Sequence, residues 1–152
     1  KQVTLLTASN EDYPAKGAAT LTDGIRGGED YSYNWLGWYG NDMQVLVDLG
    51  RIQDIRSVSA GFLSDQRHGI FVPQQVKVEI SQDNRDFSDA GIVTSSLQEE
   101  YAVHTKDIKV ALPAPAAARY VRITAVNLKA MPAWIALGNK RPFIFADEII
   151  IR

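Results

Sequence analysis

Three stretches of the chain set aromatic rings beside hydrogen-bonding and charged side chains. Trp38 and Tyr39 follow the first long loop. Asp65, Gln66, Arg67, His68 and Phe71 gather after a β-branched run, and Trp134, Asn139, Lys140 and Arg141 precede the last apolar run. Rings give a flat apolar platform and the polar groups give directional donors and acceptors, which together suit a ligand with C–H faces and hydroxyl edges. Each residue also has a plainer use. Trp35 reads as core, because large aromatics at strand starts usually bury, and Trp38 is balanced between core and surface. Trp134, between Pro132 and Gly138, could instead plug its loop onto the fold, and His68 could simply titrate in solvent.

A second constellation is acidic. Asp23 stands in an Asp-Gly turn and Glu148 heads the final apolar run. Hard carboxylates from distant points, joined by carbonyls of a glycine-bearing loop, suit calcium, which takes about 6–8 oxygen ligands. The alternative is an Asx turn closed by Asp23 and an ion pair for Glu148.

Independent catalysis is not expected. The chain has no Gly-x-Ser-x-Gly, no His-Glu-x-x-His and no cysteine. Glu99-Glu100 and Asp147-Glu148 are adjacent carboxylates, but neighbours on a strand point to opposite faces and could not readily flank one glycosidic bond. His104, between Val103 and Thr105, has no marked partner.

These groups must be held by strands. β-Branched and apolar runs at residues 3–7, 43–49, 55–62, 76–81, 92–94, 101–112, 120–127 and 143–151 are separated mostly by Gly, Pro, Asn and Asp clusters, predicting about eight strands. Val45, Val47 and Leu49 alternate with polar neighbours, as do Val76, Val78 and Ile80, and Val121, Ile123 and Ala125. Gln44, Lys77, Glu79, Arg122 and Thr124 take the opposite faces. One face is therefore dry and the other wet, predicting two antiparallel sheets stacked as a sandwich or jelly roll. Leu49-Gly50 is expected to end a strand, Asp83-Asn84-Arg85-Asp86 to form a hairpin-like turn, and Pro113-Ala114-Pro115 to close the long strand before it. The one helical hint is a turn at residues 18–21.

Composition bounds the partners. Hydrophobic residues make up 45% and charged residues 22% of 152, enough for one ordinary core, so a single domain is expected over 1–152. No apolar run approaches the roughly 20 residues of a membrane span. Sixteen basic residues against eighteen acidic ones, with no basic stripe, predict no nucleic-acid binding. Without cysteine there are no disulfides, and the redox compartment stays open. The first residues already read as a strand and carry no signal-peptide pattern, so the chain is expected to be excised from a longer multidomain protein.

Four segments in order, Ala19 to Gly24, Val45 to Gly50, Val76 to Ser81 and Ala118 to Ile123, together with the ending Asp147-Glu148-Ile149, resemble the discoidin-like superfamily. This superfamily, also called coagulation factor 5/8 type C, includes family 32 of the carbohydrate-binding modules. The resemblance implies an all-β, galactose-binding-like jelly-roll β-sandwich. Trp35-Leu36-Gly37-Trp38, Phe62-Leu63-Ser64-Asp65 and Met131-Pro132-Ala133-Trp134 before Phe143-Ile144-Phe145 look closest to C-terminal modules of bacterial β-N-acetylhexosaminidases and related glycoside hydrolases.

By that resemblance the protein is a monomeric, non-catalytic accessory module. It binds a glycan of galactose or N-acetylhexosamine type beside its parent catalytic domain, in a periplasmic, cell-surface or secreted setting. A structural calcium ion is implied at the side chains of Asp23 and Glu148 and at groups of Thr20, Ile25, Tyr33 and Asp147, although Tyr33 replaces the family's usual small hydroxyl residue. Sugar contacts are implied for His68, Arg67 and Trp134, with Trp38, Tyr39, Phe71 and Asn139 as further candidates. Two other functions stay open: a spacer docked on the parent enzyme, and recognition of a protein or phospholipid surface through an apolar spike at Ile70-Phe71-Val72.

Overall fold

The computed structural model describes all residues, 1–152. Seven strands form: β1 Gln2–Leu5, β2 Leu36–Tyr39, β3 Met43–Ser64, β4 Gln75–Ser81, β5 Ser88–Thr94, β6 His104–Val126 and β7 Phe143–Ile151, with short 3-10 turns at Gly17–Thr22 and Gln66–His68. The helical hint at residues 18–21 is the first of these turns.

All pairings are antiparallel and link the strands into one continuous sheet in the order β2-β7-β3-β6-β4-β5, with β1 added beside β3. The sandwich arises because β3 and β6 pass through both layers. Residues 43–48 of β3 pair with β1 and with residues 120–125 of β6, whose other side carries β4 and then β5. Past a corner, residues 57–64 of β3 pair with residues 104–111 of β6 and with β7, which carries β2. Two candidate strands on each side of the corner are thus single strands, 43–49 with 55–62 and 101–112 with 120–127.

The corner explains two turn signals that misled. Gly50 does not end a strand. It adopts φ +81°, which costs a glycine little, and its N–H is caught by Asp48 Oδ1 at 2.7 Å where β3 shifts register. Pro113 and Pro115 do not close β6. They fall between the pairs Ser57↔Ala111 and Ile55↔Ala116, in an outbulged stretch where a missing N–H leaves no ladder bond unmade. The Asp83 to Asp86 turn joins β4 to β5 as expected. Asp83 Oδ1 accepts the N–H groups of Arg85 and Asp86, which hold its pKa down at about 2.

The alternating valines and isoleucines of β3, β4 and β6 meet Val58, Ala60, Phe62, Ile108, Val110, Ile144, Ala146 and Ile149 of the second layer in one core. Outside, Arg122 makes a two-point contact with Glu79 at 2.9 and 3.0 Å, and Arg119 grips Asp48 at 2.8 and 3.0 Å. A smaller cluster of Trp35, Leu63, Ile70 and Phe145, flanked by Tyr13, Tyr31, Val103 and Phe143, lies under the loops at the end away from the corner. Trp35 is core, as its position predicts.

Candidate functional site

The loop after β3 is built to be stiff. Asp65 and Ile70 exchange both backbone hydrogen bonds, at 3.0 and 3.1 Å, and the chain reverses through the Gln66–His68 turn. Phe71 N–H then donates to the Phe143 carbonyl at 3.0 Å, and Phe143 N–H donates to the Gly69 carbonyl at 2.8 Å, fastening the loop to the start of β7.

His68 stands exposed at the loop's tip, with its Nδ1 at 2.9 Å from both oxygens of the buried Asp65 carboxylate. An ionised carboxylate can only accept, so Nδ1 carries the proton and Nε2 is left free to bond a ligand. The Tyr31 ring lies against the imidazole, with centroids 4.8 Å apart at 47°. Tyr13, Phe143 and Phe145 continue this aromatic wall, with centroid distances of 4.9–5.5 Å among them.

Together these residues border a hollow of 140 Å³, completed by Arg67, Lys140, Arg141, Met131 and Leu137. It is smaller than the about 300 Å³ at which sites for drug-sized molecules begin.

The predicted sugar-contact residues divide. Arg67 and His68 line this hollow. Tyr39 supports it from behind: its hydroxyl accepts the Arg141 N–H at 2.9 Å and its ring packs on Phe143 with centroids 4.7 Å apart. Trp134 is half-buried, borders a separate shallow depression with Arg67, Tyr101 and Leu137, and donates from Nε1 to Gln66 Oε1 at 2.8 Å. It packs on a cluster of Phe71, Leu128 and Ile135, so the plug role is present while one edge stays accessible. Asn139 is exposed and borders neither hollow.

Two expectations are corrected. Trp38 is 0% exposed and belongs to the main core, and Phe71 is 1% exposed beneath the Trp134 loop; neither ring can stack on a ligand. The same burial removes the apolar spike, since Ile70 is also 1% exposed. His104 does have a partner, Glu100, at 2.9 Å.

Sequence reasoning missed Tyr13 and Tyr31 in the hollow, and Gln66 as an organiser. Gln66 is buried, donates to the Gln98 carbonyl at 2.8 Å, and accepts from Glu100 N–H as well as from Trp134. Asp65 orients His68, and the three-residue spacing between them is the sequence signal for that contact.

The acidic constellation assembles at a second place. Thr20, Asp23, Ile25 and Tyr33 border a cavity of 220 Å³ with Lys16, Ser32 and Asn34. Glu148 reaches the same loop, its Oε2 accepting the Gly24 N–H at 3.0 Å. The Asx turn is real: Asp23 Oδ1 accepts the Ile25 N–H at 2.9 Å, and Lys16 Nζ lies 3.0 Å from Oδ2. That backbone bond and then Lys16 lower the Asp23 pKa. Glu148 behaves oppositely. Burial raises its pKa, the Gly24 N–H opposes this, and the charges of Asp23 and Asp147 raise it further.

A cation in place of the exposed Lys16 ammonium would offset the like charges around Glu148, so the carboxylates of Asp23 and Glu148 suit a hard ion. The Asp147 side chain is not part of it. It is fully buried and engaged by Arg26 Nε at 3.0 Å, Gly27 N–H at 2.9 Å and Glu148 N–H at 2.6 Å, leaving only its carbonyl. No group of three or more acidic, histidine or cysteine side chains is placed to hold a metal ion, so any cation here would take most of its ligands from neutral oxygens.

The F5/8 type C domain family matches residues 6–137. No curated protein matches the chain. Among solved structures, the CpGH89CBM32-5 module of Clostridium perfringens, in complex with GalNAc-β-1,3-galactose, is 16% identical with a TM-score of 0.58, the match covering 99% of this chain and 93% of that one. The CBM32 module of AlyQ, in complex with 4,5-unsaturated mannuronic acid, is 18% identical with a TM-score of 0.59 and coverages of 99% and 93%. The chitosan-binding module 1 of a chitosanase/glucanase from Paenibacillus sp. IK-5 is 13% identical with a TM-score of 0.60 and coverages of 100% and 94%. The fold is therefore that of carbohydrate-binding modules, a galactose-binding-like β-sandwich.

Proposed function

Because the chain belongs to the F5/8 type C domain family, we propose that it is a non-catalytic carbohydrate-binding module whose ligand enters the hollow bordered by Tyr31 and His68. One observation carries this reading: an imidazole with its tautomer set by a buried carboxylate, and Nε2 unspent, faces an aromatic wall on a loop pinned at both ends. Such a site offers a directional bond to a hydroxyl and an apolar surface to a ring face, with little left to order on binding.

The parent is an exported glycoside hydrolase, of the β-N-acetylhexosaminidase type by the motif resemblance. A millimolar affinity, about 4 kcal/mol, suffices for such a module, because attachment to the enzyme raises the local concentration of its glycan. Calcium completes the module as a structural ion held by Asp23 and Glu148 with oxygens of Thr20, Ile25, Tyr33 and Asp147. The ion would neutralise the two carboxylates and fix the loop that Glu148 already touches at Gly24; it takes no part in sugar contact.

The test is a glycan array followed by titration calorimetry on Tyr31→Ala and His68→Ala. Both variants are expected to lose at least tenfold in affinity for the best glycan while melting close to the parent protein. Undiminished binding in both would remove the hollow from the account.

A further inference from the structure

The hollow is charged in a way the rest of the chain is not. Its lining contains Arg67, His68, Lys140 and Arg141 and no Asp or Glu, although acidic residues outnumber basic ones over the whole sequence. Asp65, which is buried, is already bound to His68 through both oxygens. Arg67, Lys140 and Arg141 make no ion pair with any carboxylate of the protein.

Two of the three are also placed by their surroundings. The Arg67 guanidinium stands over the Tyr101 ring at 5.1 Å, and the Arg141 backbone is held by the Tyr39 hydroxyl. The Arg141 stem lies across Gly40, where any Cβ would come within 2.4 Å of its Cδ.

The geometry points to an anionic sugar residue as the ligand of this hollow, its carboxylate or sulfate taken by Arg67, Lys140 and Arg141 while its ring meets Tyr31 and His68. This rests on the reading of the hollow as a sugar site and replaces the neutral galactose type that the family resemblance implies.

The reason is electrostatic. Cations gathered at the rim of a concave site with apolar walls focus a positive potential into it. A neutral sugar leaves their charge uncompensated, whereas an anion neutralises it. A guanidinium matches a carboxylate or sulfate with two parallel N–H···O bonds, shorter and stronger than neutral ones. Free arginines and lysines occur elsewhere on this surface. Here three of them border one aromatic-walled recess that also presents a free imidazole nitrogen.

The experiment measures binding of the whole chain to oligogalacturonate and oligomannuronate, to the carboxyl-reduced form of each, to a sulfated galactan oligosaccharide, and to galactose and N-acetylgalactosamine disaccharides. An acidic oligosaccharide is expected to bind at least tenfold more tightly than its uncharged counterpart, and that margin should shrink as salt rises from about 0.05 to 0.5 M. The variant Arg67→Gln/Arg141→Gln should lose the margin while retaining its melting temperature.

Whichever of the carboxylate and sulfate arms binds better identifies the source of the charge. Equal binding of charged and neutral sugars overturns this inference and leaves the sugar site standing. A margin that survives in the double variant overturns the placement of the anion. Absence of binding to every glycan overturns both the inference and the site.

Discussion

Replacing Trp38 with alanine separates a strut from a platform. The ring is fully enclosed in the main core, beside β7, and its one polar contact is a long 3.4 Å bond from Nε1 to the Thr7 carbonyl. Removing it empties a cavity in packed surroundings, which for Trp→Ala costs about 3–5 kcal/mol. The stretched hydrogen bond adds little. In a domain of this size each kcal/mol lowers the melting temperature by about 2–4 °C, so Trp38→Ala should melt about 6–20 °C below the parent. Calorimetry or circular dichroism reads this directly. Affinity measured well below the new midpoint should then stay within about twofold of the parent, since the ring touches no part of the hollow. A variant that melts normally but no longer binds would refute the reasoning, because it would require the indole to face the ligand.

Two further outcomes follow from the charges. In chelator, Glu148→Gln should raise stability increasingly as pH climbs past 4.5: the folded-state pKa of Glu148 lies above its ordinary 4.5, so its share of stability is complete below that value and lost as pH rises through the folded pKa. Calcium at 100 times its dissociation constant should lift the parent by about 2.7 kcal/mol, or about 5–11 °C, and leave Glu148→Gln almost unmoved; an equal lift in both would exclude the carboxylate as a ligand. Glu79 titrates in the other sense. Its bond to Arg122 holds its pKa below 4.5, so that stability is complete above 4.5 and lost as pH falls through the folded value. Glu79→Gln should cost about 1 kcal/mol at pH 7 after allowance for solvent screening, and urea midpoints of variant and parent should converge as pH falls through the folded-state pKa; a gap that stays constant with pH would show that packing, not charge, is lost.

What the sequence discloses about this fold depends on whether the signal is local. The alternation at Val45, Val47, Val76, Val78, Ile80, Val121 and Ile123 records one dry face and one wet face, and it marks those strands correctly. β2 lacks the pattern because Leu36, Gly37 and Trp38 are all buried, so no polar residue marks a wet side. The corners were misread for a related reason. A proline is costly only where a partner strand wants its N–H, and the register that exempts Pro113 and Pro115 is set by β3, more than fifty residues earlier.

The site divides along the same line. Arg67 and His68 share a short loop with Asp65, and their neighbourhood announces them. Tyr31 stands in the run Asp30-Tyr31-Ser32-Tyr33-Asn34-Trp35 and Tyr13 follows Asn10-Glu11-Asp12, but nothing local tells which of these rings reaches the hollow, and packing on Phe143 and Phe145 brings Tyr13 and Tyr31 to the rim. Trp38 carries the opposite lesson. A tryptophan beside a loop looks available until the strand pairing that covers it is known.

The pairing of β1 and β7 with β3 has an architectural outcome. Gln2 lies across from Asp48 and Ile151 from Val58, so both extremities of the chain abut the bend in β3. His68 lies beyond the far tip of that strand, about seven steps of 3.3 Å, or roughly 23 Å, away. Polypeptide joined at either extremity would leave from one pole of the molecule while the recess opens at the other. A neighbour so joined need not obstruct the recess, which would be left pointing outward.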